Sequence, residues 1–327
     1  MRVSRSRAEL GAPPAEGSVV SIGVFDGVHL GHQAILRENV ARARAAGAEP
    51  TVVTFASHPK EVLIGRAPKT LTSLEHRLEL FARAGIEHTL ALPFDEELRR
   101  TPARTFLDDL LIARLGARAF VLGFDSKFGA EREGTPAWLA EQGHPVEVVE
   151  KVVVAQRAVS STAIREAVEL GDLEGARAML GRRPSLLGEV VRGAQVGRGL
   201  GFPTANLDLH HQLHPPVGVY ACRAHLLRSD GAQPAGESWD AVCNIGFRPT
   251  VEGVLPDLPI VEAHLLDFEG NLYGRDLELE FFARLRGEVR FPGLEALKAQ
   301  IAADVEQGRA LLAAERARGT RATSRDA

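Results

Sequence analysis

The chain has 327 residues, 45% of them hydrophobic and 25% charged, with a formal net charge of −4. At roughly 100 to 200 residues per domain this length predicts two domains, and the composition is that of an ordinary globular protein, not of a disordered, collagen-like or membrane chain. The small negative charge offers no footprint for a nucleic acid. Without an apolar leader core or a run of the ~18 apolar residues that a membrane span needs, a cytoplasmic protein with no membrane partner is expected.

Residues 1–16 read as an N-terminal extension. From residue 17 to about 181, short apolar runs alternate with helical patterns, which is the signature of a mostly parallel sheet covered by helices. Strands are predicted at 19–24, 51–55, 88–92, 119–122 and 146–149. A helix after Gly31 places Leu36, Val40 and Ala43 on one face and ends near Gly47; a second, capped by Ser73, runs through Ala84 and stops at Gly85. After the breaker-rich RRPS the texture changes to Gly- and Pro-punctuated runs. Strands are predicted at 186–191, 217–226, 239–245, 259–265 and 277–285, which implies a compact barrel or sandwich. Pro292 and the helical spacing of Leu294, Leu297, Ile301 and Val305 predict a closing helix. The second domain is therefore set at 182–312, and residues 313–327 are expected to be a disordered tail. Cys222 and Cys243, the only cysteines, fall in predicted strands and read as buried thiols of a reducing compartment.

The most informative stretch is GVFDGVHLGH at 23–32, a strand running through a Gly-rich turn into a helix. Glycines at 23, 27 and 31 permit close backbone approach, and the free amides at the helix start favour an anion. Gly23, Phe25, Asp26 and Gly31 are candidates for contacting nucleotide. His29 and His32, three apart, lie on one side of a first helical turn and can donate hydrogen bonds to an α-phosphate that gains charge during transfer. Zinc ligation by this pair needs further ligands, and no Cys/His cluster supplies them. In SSTAIR, at 160–165, Ser160 or Ser161 can cap a helix whose first turn presents Thr162 and Arg165 to phosphates.

In the second half GAQVGRGLGFPTAN at 193–206 lacks the order of a Walker loop and is a poor dinucleotide fingerprint. It is read as a flexible loop, without a helix, whose Gly193, Gly197, Gly199 and Gly201 cover phosphates, with Pro203 leading into an extended run. Thr204 and Asn206, two apart on that run, share a face and form a candidate oxygen pair for magnesium.

These segments resemble the bacterial bifunctional riboflavin kinase/FAD synthetase family. The likeness extends to FASHPKEVL at 55–63, LGFDSKFG at 122–129, GVYACR at 218–223, NIGFRPT at 244–250, VEAHLLDFEGNLYG at 261–274 and LRGEVRF at 285–291, so it covers residues 17 to 312 on two independent motif sets. It implies a Rossmann-like nucleotidyltransferase domain, in which His58 and Asp125 join the nucleotide or flavin contacts, followed by a small Greek-key β-barrel with a C-terminal helix. The implied chemistry is ATP-dependent phosphorylation of riboflavin to FMN by the second domain, with Glu262 as base and Arg286 near the flavin or its phosphate. The first domain would then adenylylate FMN to FAD, with magnesium serving the transfer. Two positions depart from the family pattern, Ser57 in place of proline and Ser126 in place of an aromatic residue. They motivate an alternative, a riboflavin kinase with a weakened or lost adenylyltransferase half. A non-catalytic flavin-binding regulator is the alternative of a different class.

Overall fold

The computed structural model describes residues 1–193, 196–209, 212–227, 237–247 and 259–323. Two residues of the glycine stretch (194 and 195) and the last three of NIGFRPT (248–250) lie outside the described residues. The chain divides into two units, Met1–Ile164 with Met179–Gly181, and Arg165–Ala178 with Arg182–Ala327.

The first unit is built on six parallel strands: β1 (Arg2–Ser4), β2 (Ser18–Ile22), β3 (Glu49–Phe55), β4 (His88–Leu92), β5 (Ala117–Gly123) and β6 (Val146–Val149), in the order β1-β4-β3-β2-β5-β6. Every residue of β2 and β4 is buried, as a sheet covered on both faces requires. Helices α1 (Leu30–Ala46), α2 (Pro59–Ile64), α3 (Leu74–Arg83), α4 (Glu96–Arg100), α5 (Ala103–Thr105, running into a π-helical turn at Phe106–Ile112) and α6 (Pro136–Glu141) connect these strands. Leu36, Val40 and Ala43 are buried against the sheet, and α1 stops where Gly47 turns left-handed at φ 63°. Ser73 caps α3 by accepting the His76 N–H.

The stretch read as an extension is instead part of this unit. β1 adds to the edge of β4, and Leu10 enters the core cluster. A three-residue strand flanked by arginines gives no periodicity to read. What secures it is non-local: His88 Nε2 lies 3.1 Å from the Ser4 hydroxyl, and Arg2 pairs with Glu49 at 2.9 Å. The Glu49 carboxyl is held below its usual range, chiefly by its hydrogen bond with His88 and then by Arg2, against an opposing effect of burial.

A short antiparallel hairpin, β7 (Val153–Val154) and β8 (Arg157–Ala158), precedes helices α7 (Ser161–Glu169) and α8 (Leu173–Leu180). The domain edge expected at 181/182 is less simple than the sequence suggests. Residues 165–178 group with the second unit because Leu173 packs into its core.

That core fills a closed antiparallel barrel of β9 (Ser185–Val191), β10 (Ala205–Asp208), β11 (Gly218–Leu226), β12 (Ser238–Phe247), β13 (Pro259–Leu265) and β14 (Asp276–Arg286), ordered β10-β13-β12-β11-β14-β9. Tyr220 and Phe281 are fully buried and meet edge to face at 5.4 Å, a contact worth about 1 kcal/mol beyond its area. Cys222 and Cys243 are free and buried, and burial pushes the Cys222 thiol well up. One helical turn, α9 (Val196–Gly199), lies inside the segment read as helix-free. Phe202 N–H donates to the Gly197 carbonyl at 2.8 Å, and a Cβ on Gly197 would sit 2.4 Å from the Phe202 carbonyl oxygen, so this glycine lets the turn close.

The last helix, α10 (Leu294–Thr323), starts two residues after Pro292, with Gly293 accepting the Leu297 N–H. Leu294 is exposed, whereas Leu312 is buried. The helix continues into the stretch expected to be disordered because Arg316 reaches Asp240 of β12 at 2.7 Å and Arg318 pairs with Glu315 at 2.9 Å. Such tertiary and i,i+3 pairs supply what a polar sequence lacks in apolar burial.

Candidate active sites

In the first unit the GVFDGVHLGH turn joins β2 to α1 through three left-handed residues, Phe25 (φ 52°), Gly27 (φ 81°) and Val28 (φ 39°). Left-handed Phe and Val are costly, by about 1 kcal/mol each, and persist only where surroundings hold them. Phe25 is buried and packs edge-on against Phe81 at 5.5 Å. The buried Asp26 carboxylate accepts the Leu71 and Thr72 amides at 2.9 and 3.1 Å and the Thr72 hydroxyl at 3.2 Å. Both are candidates for contacting nucleotide, and in the structure Phe25 packs inward while the Asp26 carboxylate anchors the turn.

His29 is the N-cap of α1, its Nδ1 accepting the His32 N–H at 3.3 Å, and the two rings stack at 3.6 Å with 15° between planes. A Cβ on Gly31 would lie 3.2 Å from the His29 ring, so glycine leaves room for it. The first and last motifs of this unit meet: the Ser161 hydroxyl donates to the Asp26 carbonyl at 2.9 Å, and Ser160 caps α7 by accepting the Ala163 N–H at 3.2 Å. Thr162 is exposed on the first turn of α7, and Arg165 lies one turn on, in the segment grouped with the second unit.

Beside this turn lies a cavity of about 550 Å³. Gly23 and Val24 form one end, and His58, which caps α2 by accepting the Lys60 N–H at 3.2 Å, lines a wall. Phe55, Phe94, Phe106 and Phe128 supply aromatic faces, while Lys60, Arg99, Lys127 and Arg132 bring positive charge. This combination suits a flat aromatic body carrying an anionic group. Asp125 is exposed at the end of β5 and is not among the lining residues. The family pattern has an aromatic at position 126, where serine stands here. Phe94 and Phe106 come from connections between strands that carry no motif, so no sequence signal marks them.

In the second unit the site lies on the outside of the barrel. Ala205, Leu207, Val261, Ala263, Leu265, Cys243 and Ile245 fill the interior, so their alternating neighbours face outward. Asn206 stands directly opposite Glu262, and Glu262 opposite Asn244, which aligns three polar side chains across β10, β13 and β12. Thr204, two residues before Asn206, belongs to the same alternation. Among the described residues the buried Asn206 Oδ1 has no hydrogen-bond partner, a costly state for a polar atom. A Cβ on Gly193 would sit 2.3 Å from the Asn206 amide, so this glycine makes space for it.

Two cavities adjoin these residues. One, of about 590 Å³, is walled by Glu262, His264 and Asn244 of the barrel, by Leu297, Ile301 and Val305 of α10, and by Glu288 to Phe291. The other, of about 420 Å³, is lined by Pro203, Ala205, Phe268, Gly270, Asn271 and Tyr273 among others. Thr204 is common to both linings. The apolar row on α10, read in sequence as a packing face, doubles as a cavity wall. Arg286 also lines the larger cavity, but its guanidinium is held by the buried Asp304 of α10, with Nε at 3.0 Å and Nη2 at 2.8 Å. Its charge is neutralised inside the protein. Gly199 and Gly201 (φ 91°) flank the open side of the turn after α9, where a Cβ at either would meet nothing within 4 Å.

A parallel-sheet unit with an H-x-G-H helix start, followed by a closed barrel bearing P-T-A-N on its outer face, defines a two-site protein of the nucleotidyltransferase and flavokinase classes. Family models agree: residues 12–163 match FAD synthetase and residues 180–312 match riboflavin kinase. The chain is 36% identical over 300 residues to the bifunctional riboflavin kinase/FMN adenylyltransferase of Haemophilus influenzae, covering 90% of this chain and 94% of that protein. It is 37% identical over 309 residues to that of Escherichia coli K12, covering 93% and 96%. A crystal structure described as a macrolide-efflux protein from Streptococcus pneumoniae matches with a TM-score of 0.76 at 28% identity, over 94% of this chain and 98% of that one. Among the described residues no helix of this chain is long and apolar enough to cross a membrane. The chain belongs to the bifunctional riboflavin kinase/FMN adenylyltransferase family.

Proposed function

We propose that the barrel unit transfers the γ-phosphate of ATP to riboflavin, giving FMN and ADP, and that the first unit joins FMN to the AMP portion of a second ATP, giving FAD and pyrophosphate. The observation that carries the reading is the aligned row of Asn206, Glu262 and Asn244 beside Thr204, at the meeting of two cavities. In this reading the larger cavity takes the flavin, its rings against Leu297, Ile301 and Val305, and the smaller takes the nucleotide. Phosphate then passes over Thr204.

The primary hydroxyl of the ribityl chain is a weak nucleophile. Glu262 accepts its proton as the oxygen attacks the γ-phosphorus in line, and no covalent enzyme intermediate is needed. The Asn206 oxygen, without a partner among the described residues, and the Thr204 hydroxyl fit a hard cation that takes one or two protein oxygens, which is magnesium's habit. When bound, magnesium supplies charge neutralisation of the phosphates. The backbone of the 197–201 turn covers the phosphates on the open side. Arg286, already paired with Asp304, holds α10 to β14 and so shapes the flavin wall.

In the first unit the turn amides and the stacked His29 and His32 donate to the α-phosphate as charge develops there, and Ser160 and Thr162 steady the departing pyrophosphate. FMN occupies the phenylalanine-lined cavity, its phosphate met by lysine and arginine. Those four phenylalanines weigh against a lost adenylyltransferase, since the burial expected from position 126 is available elsewhere. The proposed compartment is the cytoplasm, which suits two free buried thiols. The test is chromatographic: riboflavin with ATP and magnesium must yield FMN and then FAD. Tight flavin binding without turnover would instead identify a regulator.

A further inference from the structure

His264 belongs to the V-E-x-H stretch but has no part in the chemistry above. It shares the outward face of β13 with Glu262 and lines the larger cavity. Its Nδ1 lies 2.8 Å from the Pro203 carbonyl oxygen. A carbonyl only accepts, so Nδ1 carries the proton and the ring is a donor at this contact in both its neutral and charged forms. The ring also meets Phe202 edge to face at 5.6 Å. Phe202 and Pro203 lead directly into Thr204, and Phe202 lines one cavity while Pro203 lines the other. One imidazole thus grips the two residues that set where Thr204 stands.

The alternatives for His264 are narrower. A proton relay would have to run through Nε2, because the Nδ1 proton is committed to a carbonyl, and the pH profile below tests for it. Packing alone would need no donor, and the contact to Pro203 is a short, directed hydrogen bond.

We propose that His264 is a positioning residue for the phosphoryl donor: by holding the Pro203 carbonyl it fixes Thr204 at the boundary between the two cavities, where the nucleotide's phosphates are received. The proposal rests on the kinase reading given above. It predicts that His264 governs nucleotide affinity more than flavin affinity or the chemical step.

The experiment uses the full chain with His264→Phe, which keeps an aromatic edge but no donor, and His264→Asn, whose amide N–H stands close to the position of Nδ1. For His264→Phe, KM for ATP in FMN formation and Kd for Mg–ADP by calorimetry are expected to rise about tenfold, the usual consequence of one lost hydrogen bond in a binding site. KM for riboflavin, whose cavity His264 also lines, should rise less than that for ATP, FAD formation from supplied FMN should stay within about twofold, and kcat within about threefold. His264→Asn should restore ATP KM to within about threefold of the natural protein. The proposal is overturned if His264→Phe leaves both nucleotide constants within twofold, if His264→Asn is as impaired as His264→Phe, or if riboflavin KM rises in step with that for ATP. A fall in kcat with a lost limb of the pH profile would also overturn it, by making His264 an acid or base. Should His264→Phe fail to fold, His264→Leu takes its place with the same expected split. If the natural protein forms no FMN, the kinase reading falls, and the Mg–ADP titration still decides whether His264 orders a nucleotide site.

Discussion

The two units use their sequence motifs differently. In the first, Phe25, Asp26, His29, Ser160 and Ser161 are largely occupied in building the turn: one packs, one accepts three hydrogen bonds, two cap helices and one ties the ends together. In the barrel, Thr204 and Glu262 stand at a cavity, and the Asn206 oxygen has no hydrogen-bond partner among the described residues. A motif can therefore mark the scaffold of a site or the site itself, and residue type alone does not say which.

The sharpest way to break that contrast is a reciprocal pair of variants. Glu262→Gln, which cannot accept a proton, is expected to lower FMN formation about a thousandfold while FAD formation from supplied FMN stays unchanged. His29→Ala with His32→Ala should lower FAD formation about a hundredfold and leave FMN formation intact. Product chromatography reads both, and loss of both activities by either change in a folded protein would rule out independent sites.

Asp26 tests the scaffold side of the comparison. Removing a buried carboxylate strands two amides and a hydroxyl, so Asp26→Ala should lower the free energy of unfolding by about 3 kcal/mol, measured by denaturant titration. If Asp26 also contacts nucleotide, KM for ATP in FAD formation would rise alongside the loss of stability.

How far the sequence was legible follows the same line. Strands 88–92, 146–149 and 259–265 were read to the residue, because dense β-branched and apolar runs bounded by turn signals leave little choice. β1, α9 and the end of α10 were missed, since pairings distant in sequence hold the first and last of these and close backbone contact holds the other. Thr204 and Asn206 were paired by strand alternation alone, whereas Glu262 was implied only by the family resemblance and its place opposite Asn206 was not read. The phenylalanine-lined cavity was not legible, because its walls come from connections that meet only in three dimensions. Arg286 lines the larger cavity, and its partner Asp304, which lies 18 residues away on another element, leaves no mark in the sequence.

A smaller effect probes the barrel interior by pH. Burial pushes the Tyr220 hydroxyl up to about 12, and it donates to the Pro216 carbonyl. Below pH 10 the tyrosine is neutral in folded and unfolded chains alike, and its stabilisation is complete. Between about 10 and 12 only the unfolded form ionises, so stability falls by about 1.4 kcal/mol per pH unit. Tyr220→Phe should remove that slope in unfolding curves taken at pH 9 and 11. The smallest effect separates strain that serves a site from strain that does not. In the hairpin of β7 and β8 the two turn residues, Ala155 (φ 47°) and Gln156 (φ 63°), are left-handed without being glycine. Gln156→Gly should raise the thermal midpoint slightly, by about 0.5 kcal/mol of stability, with both activities unaltered.

The barrel closes by pairing its first strand, β9, with its last, β14. On the ribosome that ring stays open until residue 286 has emerged, whereas the parallel sheet of the first unit has all its strands by residue 149. The half that consumes FMN thus has its whole sheet during synthesis ahead of the half that makes it, and a chain terminated before residue 276 would lack the strand that closes the barrel while holding every strand of the parallel sheet.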